Sequence, residues 1–172
     1  NELRRNRIEG VSDLTVGTLS KTLASEGGCA ASSKNVIEFL RNRSRPFIFS
    51  TAISPSTAAA ADAALTVLEN EGGSLMERLG RNVAFMWKTL TEAGLPVVPG
   101  ETAIIPVILG DPEKAVMLAA KCREQHILLS AIRPPSVPAG TSRIRLTVTA
   151  AHTEEELSRA SETIIRAFRE EL

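Results

Sequence analysis

The sequence predicts an α/β chain in two parts, and three observations carry that reading. Short apolar runs at residues 14–18 and 28–32 end at small or hydroxyl-bearing residues and read as strands. Residues 56–92 are rich in alanine and leucine, a composition that favours helix. Beyond a linker marked by Gly94, Pro96 and Pro99, the pattern becomes strand, helix, strand, strand, helix. A chain of 172 residues, 43% of them hydrophobic, can form one compact core or parts of two.

The elements follow in order. Residues 14–18 form a short buried strand that delivers a lysine turn, and 28–32 a second small, apolar strand. Val36, Ile37, Phe39 and Leu40 fall at helical spacing, so 34–43 is an amphipathic helix with a basic end at Arg41, Arg43 and Arg45. Pro46 then imposes an extended segment over 47–49. A helix over 56–71 is interrupted by Gly72-Gly73, and Ser74 with Glu77 makes a capping box for a second helix reaching Glu92. Gly94 ends that helix.

After the linker, 103–109 is a strand, and Asp111-Pro112 supplies an N-cap followed by proline at the first helical position. That helix runs to Gln125, and 127–132 is the next strand. A loop with Pro134, Pro135, Pro138 and Gly140 leads into 143–149, which alternates as a half-buried strand does. Thr153 and Glu156 form a second capping box, opening the last helix.

Composition excludes several functions. Twenty basic residues balance twenty acidic ones, so no overall field draws in nucleic acid or an anionic membrane. No apolar run reaches the roughly 18 residues of a membrane span, and the start does not resemble a signal peptide. Cys29 and Cys122 are too far apart in sequence to suggest a disulfide framework or a zinc site. A soluble protein of a reducing compartment, without a metal, is expected.

Chemistry concentrates at Lys21. An apolar run delivers it among Gly17, Thr18 and Ser20, and Gly27-Gly28 follow. A partly desolvated lysine becomes a nucleophile suited to Schiff-base formation. The two hydroxyls suit a neighbouring phosphate, and the glycines let backbone approach a ligand closely. A nucleotide-binding P-loop needs glycine directly before its lysine, and Ser20 stands there instead. The plain alternative is a solvated lysine at a surface turn.

Three segments lie in one order along nearly the whole chain. They are Gly17-Thr18-Leu19-Ser20-Lys21 with Gly27-Gly28, then Arg45-Pro46-Phe47-Ile48-Phe49-Ser50-Thr51, then Ile132-Arg133-Pro134-Pro135-Ser136-Val137-Pro138 with Arg143-Ile144-Arg145-Leu146-Thr147 and Ala150-Ala151-His152. Together they resemble the α-oxoamine synthases, a branch of the fold-type I enzymes that use pyridoxal 5′-phosphate (PLP). The third segment is similar to the C-terminal domain of the member serving biotin synthesis. The resemblance implies the C-terminal portion of a longer enzyme: residues 1–95 as the end of the large PLP-binding domain with connecting helices, and 96–172 as a small α+β domain. It implies a cytoplasmic, homodimeric C-acyltransferase that condenses L-alanine with a pimeloyl thioester, on CoA or a carrier protein. A glycine-using sister such as 2-amino-3-ketobutyrate CoA ligase is the alternative. A non-catalytic subunit or inert fragment is the alternative of another class.

The same resemblance assigns roles. Lys21 would carry PLP and remove the substrate α-proton, and Thr18 would lie near the cofactor phosphate. Ser50 and Thr51 would reach the phosphate in the partner subunit, or form a solvated turn. Arg145 would hold the amino-acid carboxylate as a planar fork, with Arg143 the competitor at the same alternation phase. Arg133 would meet the distal carboxylate of the acyl substrate, or simply fix its loop. The residues facing the pyridine nitrogen and stacking on the ring belong to an upstream half, and Asp13 lies too close to Lys21 to be the former. His152 reads as structural, His126 has no role, and Phe85, Met86 and Trp87 read as packing. Thr22 and Ala24-Ser25-Glu26 depart from the family pattern beside the cofactor.

Overall fold

The computed structural model describes residues 12–98, 100 and 102–171. The chain forms two compact units that divide at Gly72/Gly73.

In the first unit, β1 (Leu14–Thr18) and β2 (Gly28–Ser32) pair antiparallel, from Leu14 opposite Ser32 to Thr18 opposite Gly28. They are the arms of one hairpin. Backbone bonds close the intervening loop, Leu19 N–H to Gly27 O and Ser25 N–H to Leu19 O, both 3.0 Å. Gly27 has φ +98°, and a Cβ there would lie 2.9 Å from Ile53 Cγ2, so glycine is required. Contrary to the buried strand expected over 14–18, Val16 is 73% exposed. A two-stranded ribbon with one helix beside it cannot cover both faces.

Helix α1 (Lys34–Arg43) matches its expected span, with Arg41 and Arg43 in the last turn. The next segment corrects the sequence reading: residues 45–48 form a single helical turn, α2 (Arg45–Ile48). Pro46 sits in the first turn, where its missing N–H leaves no intrahelical bond unmade.

Helix α3 (Pro55–Glu92) runs unbroken for 38 residues, which is a second correction. The glycine pair at 72–73 costs about 1 kcal/mol per residue relative to alanine. Alanine-rich turns before it and buried turns after it offset that cost, and propagation adds a bond per residue. Ser74 and Glu77 therefore sit inside a helix and open none. The helix begins instead at Ser54, whose Oγ accepts from Thr57 N–H at 3.2 Å, with Pro55 at the first position.

The second unit holds the core. β3 (Ile104–Gly110), β4 (Ser130–Ile132) and β5 (Ser142–Thr147) form an antiparallel sheet in the order β3–β5–β4. Helices α4 (Pro112–Glu124) and α5 (Glu154–Glu171) pack with the end of α3 against one face. Met86, Leu90, Val107, Leu118, Ile144 and Ile164 are all at most 2% exposed there. Each such side chain contributes about 1.5–3 kcal/mol of burial. This is why Gly73 onward groups with the C-terminal unit: α3 brings Met86 and Leu90 into its core.

Local signals set most boundaries. Asp111 Oδ1 accepts from Glu113 and Lys114 N–H at 2.6 and 3.2 Å, capping α4. The capping box is realised: Thr153 N–H donates to Glu156 Oε2 at 2.9 Å, and Glu156 N–H to Thr153 Oγ1 at 3.2 Å. β4 is shorter than the expected 127–132. The Ile127 and His126 N–H groups close the end of α4 on Cys122 O and Arg123 O, both at 2.9 Å, with His126 at φ +62°. Among the described residues no helix is long and apolar enough to cross a membrane, and no cluster suits a metal.

Candidate functional site

The expected site residues fall into two groups, one in each unit. In the first, the hairpin places Lys21 in its connecting loop, immediately after β1. Its side chain is exposed and has no ion-pair partner among the described residues. Thr18 Oγ1 and Ser20 Oγ lie 2.7 Å apart, and Ser20 N–H donates to Thr18 Oγ1 at 3.2 Å. Two hydroxyls thus stand one and three residues before the lysine, bonded to each other. At the loop base a Cβ on Gly17 would lie 3.2 Å from Cys29 Sγ, and one on Gly28 equally close to Gly17 O. Those small residues let the arms close. An exposed amine, neighbouring hydroxyls and close backbone are the donor set for a phosphate-bearing aldehyde, so the residues present fit PLP.

Two of the departures beside the lysine, Ser25 and Glu26, have structural partners. Ser25 Oγ donates to Thr57 O at 2.7 Å, and Thr57 Oγ1 to Glu26 Oε1 at 3.5 Å, tying the loop to the first turn of α3. Ile53 passes against Gly27, so the chain after Thr51 borders the same loop. Ser50 Oγ donates to Pro46 O, closing α2, while the exposed Thr51 side chain makes no such bond among the described residues. Sequence reading missed the hydroxyls of Ser54, Ser56 and Thr57, joined at 2.8 Å through Ser54. Ser54-Pro55 carries the signal, as an N-cap before proline.

In the second unit, alternation along the central strand β5 sends Ser142, Ile144 and Leu146 into the core and Arg143 and Arg145 to the other face. Arg145 lies opposite Pro106 of β3 and Ser130 of β4; Arg143 lies opposite Ile108 and Ile132. The two arginines differ in engagement. Half-buried Arg143 donates from Nε to Thr141 O at 2.9 Å, whereas the exposed Arg145 side chain has no hydrogen bond or ion pair among the described residues. Arg133 is also exposed, just past β4, and lines a cleft of about 600 Å³ with Pro112, Ile132 and Pro135. No carboxylate pairs with any of the three among the described residues.

The remaining candidates resolve into scaffolding. His152 Nδ1 accepts from Thr149 N–H at 3.2 Å, and Asn82 Nδ2 donates to Thr149 O and His152 O, both at 3.0 Å. Asn82, absent from the sequence reading, thereby pins the turn between β5 and α5 to α3. His126 ends α4, Met86 is core and Trp87 packs against it. Phe85 instead is 41% exposed. Burial pushes the Cys122 thiol up to about 11, which makes it inert. Thr153 holds the Glu156 carboxyl below its ordinary range, chiefly through the backbone N–H bond.

The profile of aminotransferases of class I and II matches residues 2–164. The chain is 44% identical over 149 residues to an 8-amino-7-oxononanoate synthase of Geobacter metallireducens, covering 86% of this chain and 38% of that protein. It is 51% identical over 141 residues to a putative 8-amino-7-oxononanoate synthase of Desulforudis audaxviator, covering 82% and 36%. In three dimensions it is similar to serine palmitoyltransferase from S. paucimobilis with a bound PLP–myriocin aldimine. The TM-score there is 0.91 at 28% identity, over 98% of this chain and 43% of that one. The chain spans less than half the length of these relatives. It belongs to the aminotransferase class I and II family, with the fold of part of a fold-type I PLP enzyme.

Proposed function

We propose that this chain is the C-terminal portion of a PLP-dependent C-acyltransferase that condenses L-alanine with a pimeloyl thioester, with loss of carbon dioxide, to 8-amino-7-oxononanoate. Biotin biosynthesis in the cytoplasm, by a homodimer, is the setting. Residues 1–95 complete the cofactor domain with its connecting helices, and 96–172 form the small domain. The observation that carries the reading is Lys21: an exposed amine without an ion-pair partner among the described residues, beside the paired hydroxyls of Thr18 and Ser20. Relatives at 44–51% identity bearing the synthase name support the substrate class.

The residues divide the work between cofactor and substrates. Lys21 Nζ would hold the cofactor and would take the α-proton of the bound amino acid. PLP, when bound, supplies the electron sink that makes this proton removable. Thr18 holds the cofactor phosphate through its hydroxyl. Of the pair Ser50 and Thr51, directed at the partner's phosphate, Thr51 has the freer hydroxyl. Arg145 holds the amino-acid carboxylate bidentately and so sets which α-bond faces the base. Arg133 meets the distal carboxylate of the acyl chain.

Mass-spectrometric assay of the full-length enzyme with L-alanine and pimeloyl-CoA or the pimeloyl carrier protein tests this reading. The amino ketone and carbon dioxide are expected in equal amounts. Turnover of glycine with acetyl-CoA and none of alanine would assign the sister activity instead.

A further inference from the structure

Arg143 has a duty that its neighbour Arg145 does not share. The loop of residues 133–141 leaves β4 after Ile132 and returns at Thr141, and both ends meet at Arg143. Ile132 lies opposite it in the β4–β5 register. Its Nε donates to Thr141 O at 2.9 Å, and its side chain is half-buried. The returning leg is tight: Thr141 N–H and Oγ1 both donate to Pro138 O, at 3.2 and 2.7 Å. The outgoing leg turns at once, with Ser136 N–H donating to Arg133 O at 3.1 Å. Between these anchors stand three prolines and the exposed Arg133, so the placement of that guanidinium depends on how the loop is rooted.

We propose that Arg143 is a positioning residue that roots the 133–141 loop and so sets affinity for the distal carboxylate of the acyl substrate. It rests on the proposed reading of Arg133. Arg145 makes no such bond and retains its fork for the amino-acid carboxylate. Lysine at 143 keeps the charge but lacks the planar Nε–H that the bond uses, so Arg143→Lys separates position from field.

The test uses the full-length enzyme, with pimelate as the dicarboxylate probe and L-alanine as the comparator. Affinities come from nuclear magnetic resonance titration of the arginine Nε–H groups, and loop order from amide exchange at Ser136 and Thr141. Arg143→Lys is expected to weaken pimelate about tenfold, the scale of one lost hydrogen bond. Loop exchange should accelerate, with alanine affinity unchanged. Faster exchange with unchanged pimelate affinity would overturn the proposal, leaving Arg143 a structural residue. Equal loss for alanine would also overturn it, making Arg143 part of the carboxylate site. Arg133→Ala identifies which idea failed: if it leaves pimelate binding intact, the reading of Arg133 falls and the proposal with it. If it weakens pimelate while Arg143→Lys does not, the proposal alone falls.

Discussion

The two units solve the problem of holding a functional residue in different ways. In the C-terminal unit, β5 carries Arg143 and Arg145 on one face while Ile144 and Leu146, 0% and 4% exposed, anchor it from the other. The strand is held by a core that its own sequence supplies. In the N-terminal unit, among the described residues before Gly73, only Leu19 and Ala61 are buried apolar side chains, and Phe49 is 77% exposed. Lys21 is held by hydrogen bonds: the hairpin register, the Leu19–Gly27 closure and the Ser25–Thr57 tie. A core fixes a site through many weak contacts, whereas a bonded loop depends on a few groups that can be named one at a time.

That contrast can be broken by substitution. Leu90→Ala should destabilise the C-terminal unit by about 2–5 kcal/mol in urea unfolding, since it leaves a cavity in the core. Val16→Ala, on an exposed face, should change stability by no more than about 0.5 kcal/mol. Equal effects would erase the distinction. Asn82→Ala should cost about 1–3 kcal/mol, because the Thr149 and His152 carbonyls lose their donor. Faster exchange at the turn between β5 and α5 is its signature.

Smaller effects sharpen the comparison. Ser54→Ala removes the N-cap of α3 and should cost about 0.5–2 kcal/mol. Because Thr57 joins that cap to the lysine loop, amide exchange at Ser25 should accelerate with it. The smallest effect is pH dependence from Glu156. Its carboxyl is held below the ordinary value, so the folded state releases that proton more readily than the unfolded one. The resulting stability is present above the unfolded carboxyl pKa, about 4.3, and is lost as pH falls through the folded value. Acid unfolding of Glu156→Gln should lack this contribution.

How much was legible follows the same division. Signals that act within a few residues were read correctly: the 34–43 helix, the Asp111 cap and the Thr153–Glu156 box. Signals that compete with cooperative structure were misread. Gly72-Gly73 looked like a break but lies inside α3, and Pro46 looked extended but fits a first turn. The lysine turn was visible from residue types, yet its being a hairpin depends on pairing Thr18 with Gly28 across the loop. Alternation alone put Arg143 and Arg145 on one face; the Thr141 bond is what separates them. Asn82 carried no local signal, because its partners lie in a turn far along the chain.

The central claim is that Lys21 is the residue that takes the cofactor. Borohydride reduction of the purified chain with added PLP, followed by peptide mass mapping, tests it most directly. A pyridoxyl group on the peptide containing Lys21, and its loss in Lys21→Arg, are expected. A label spread over other lysines, or one that persists in Lys21→Arg, would contradict it.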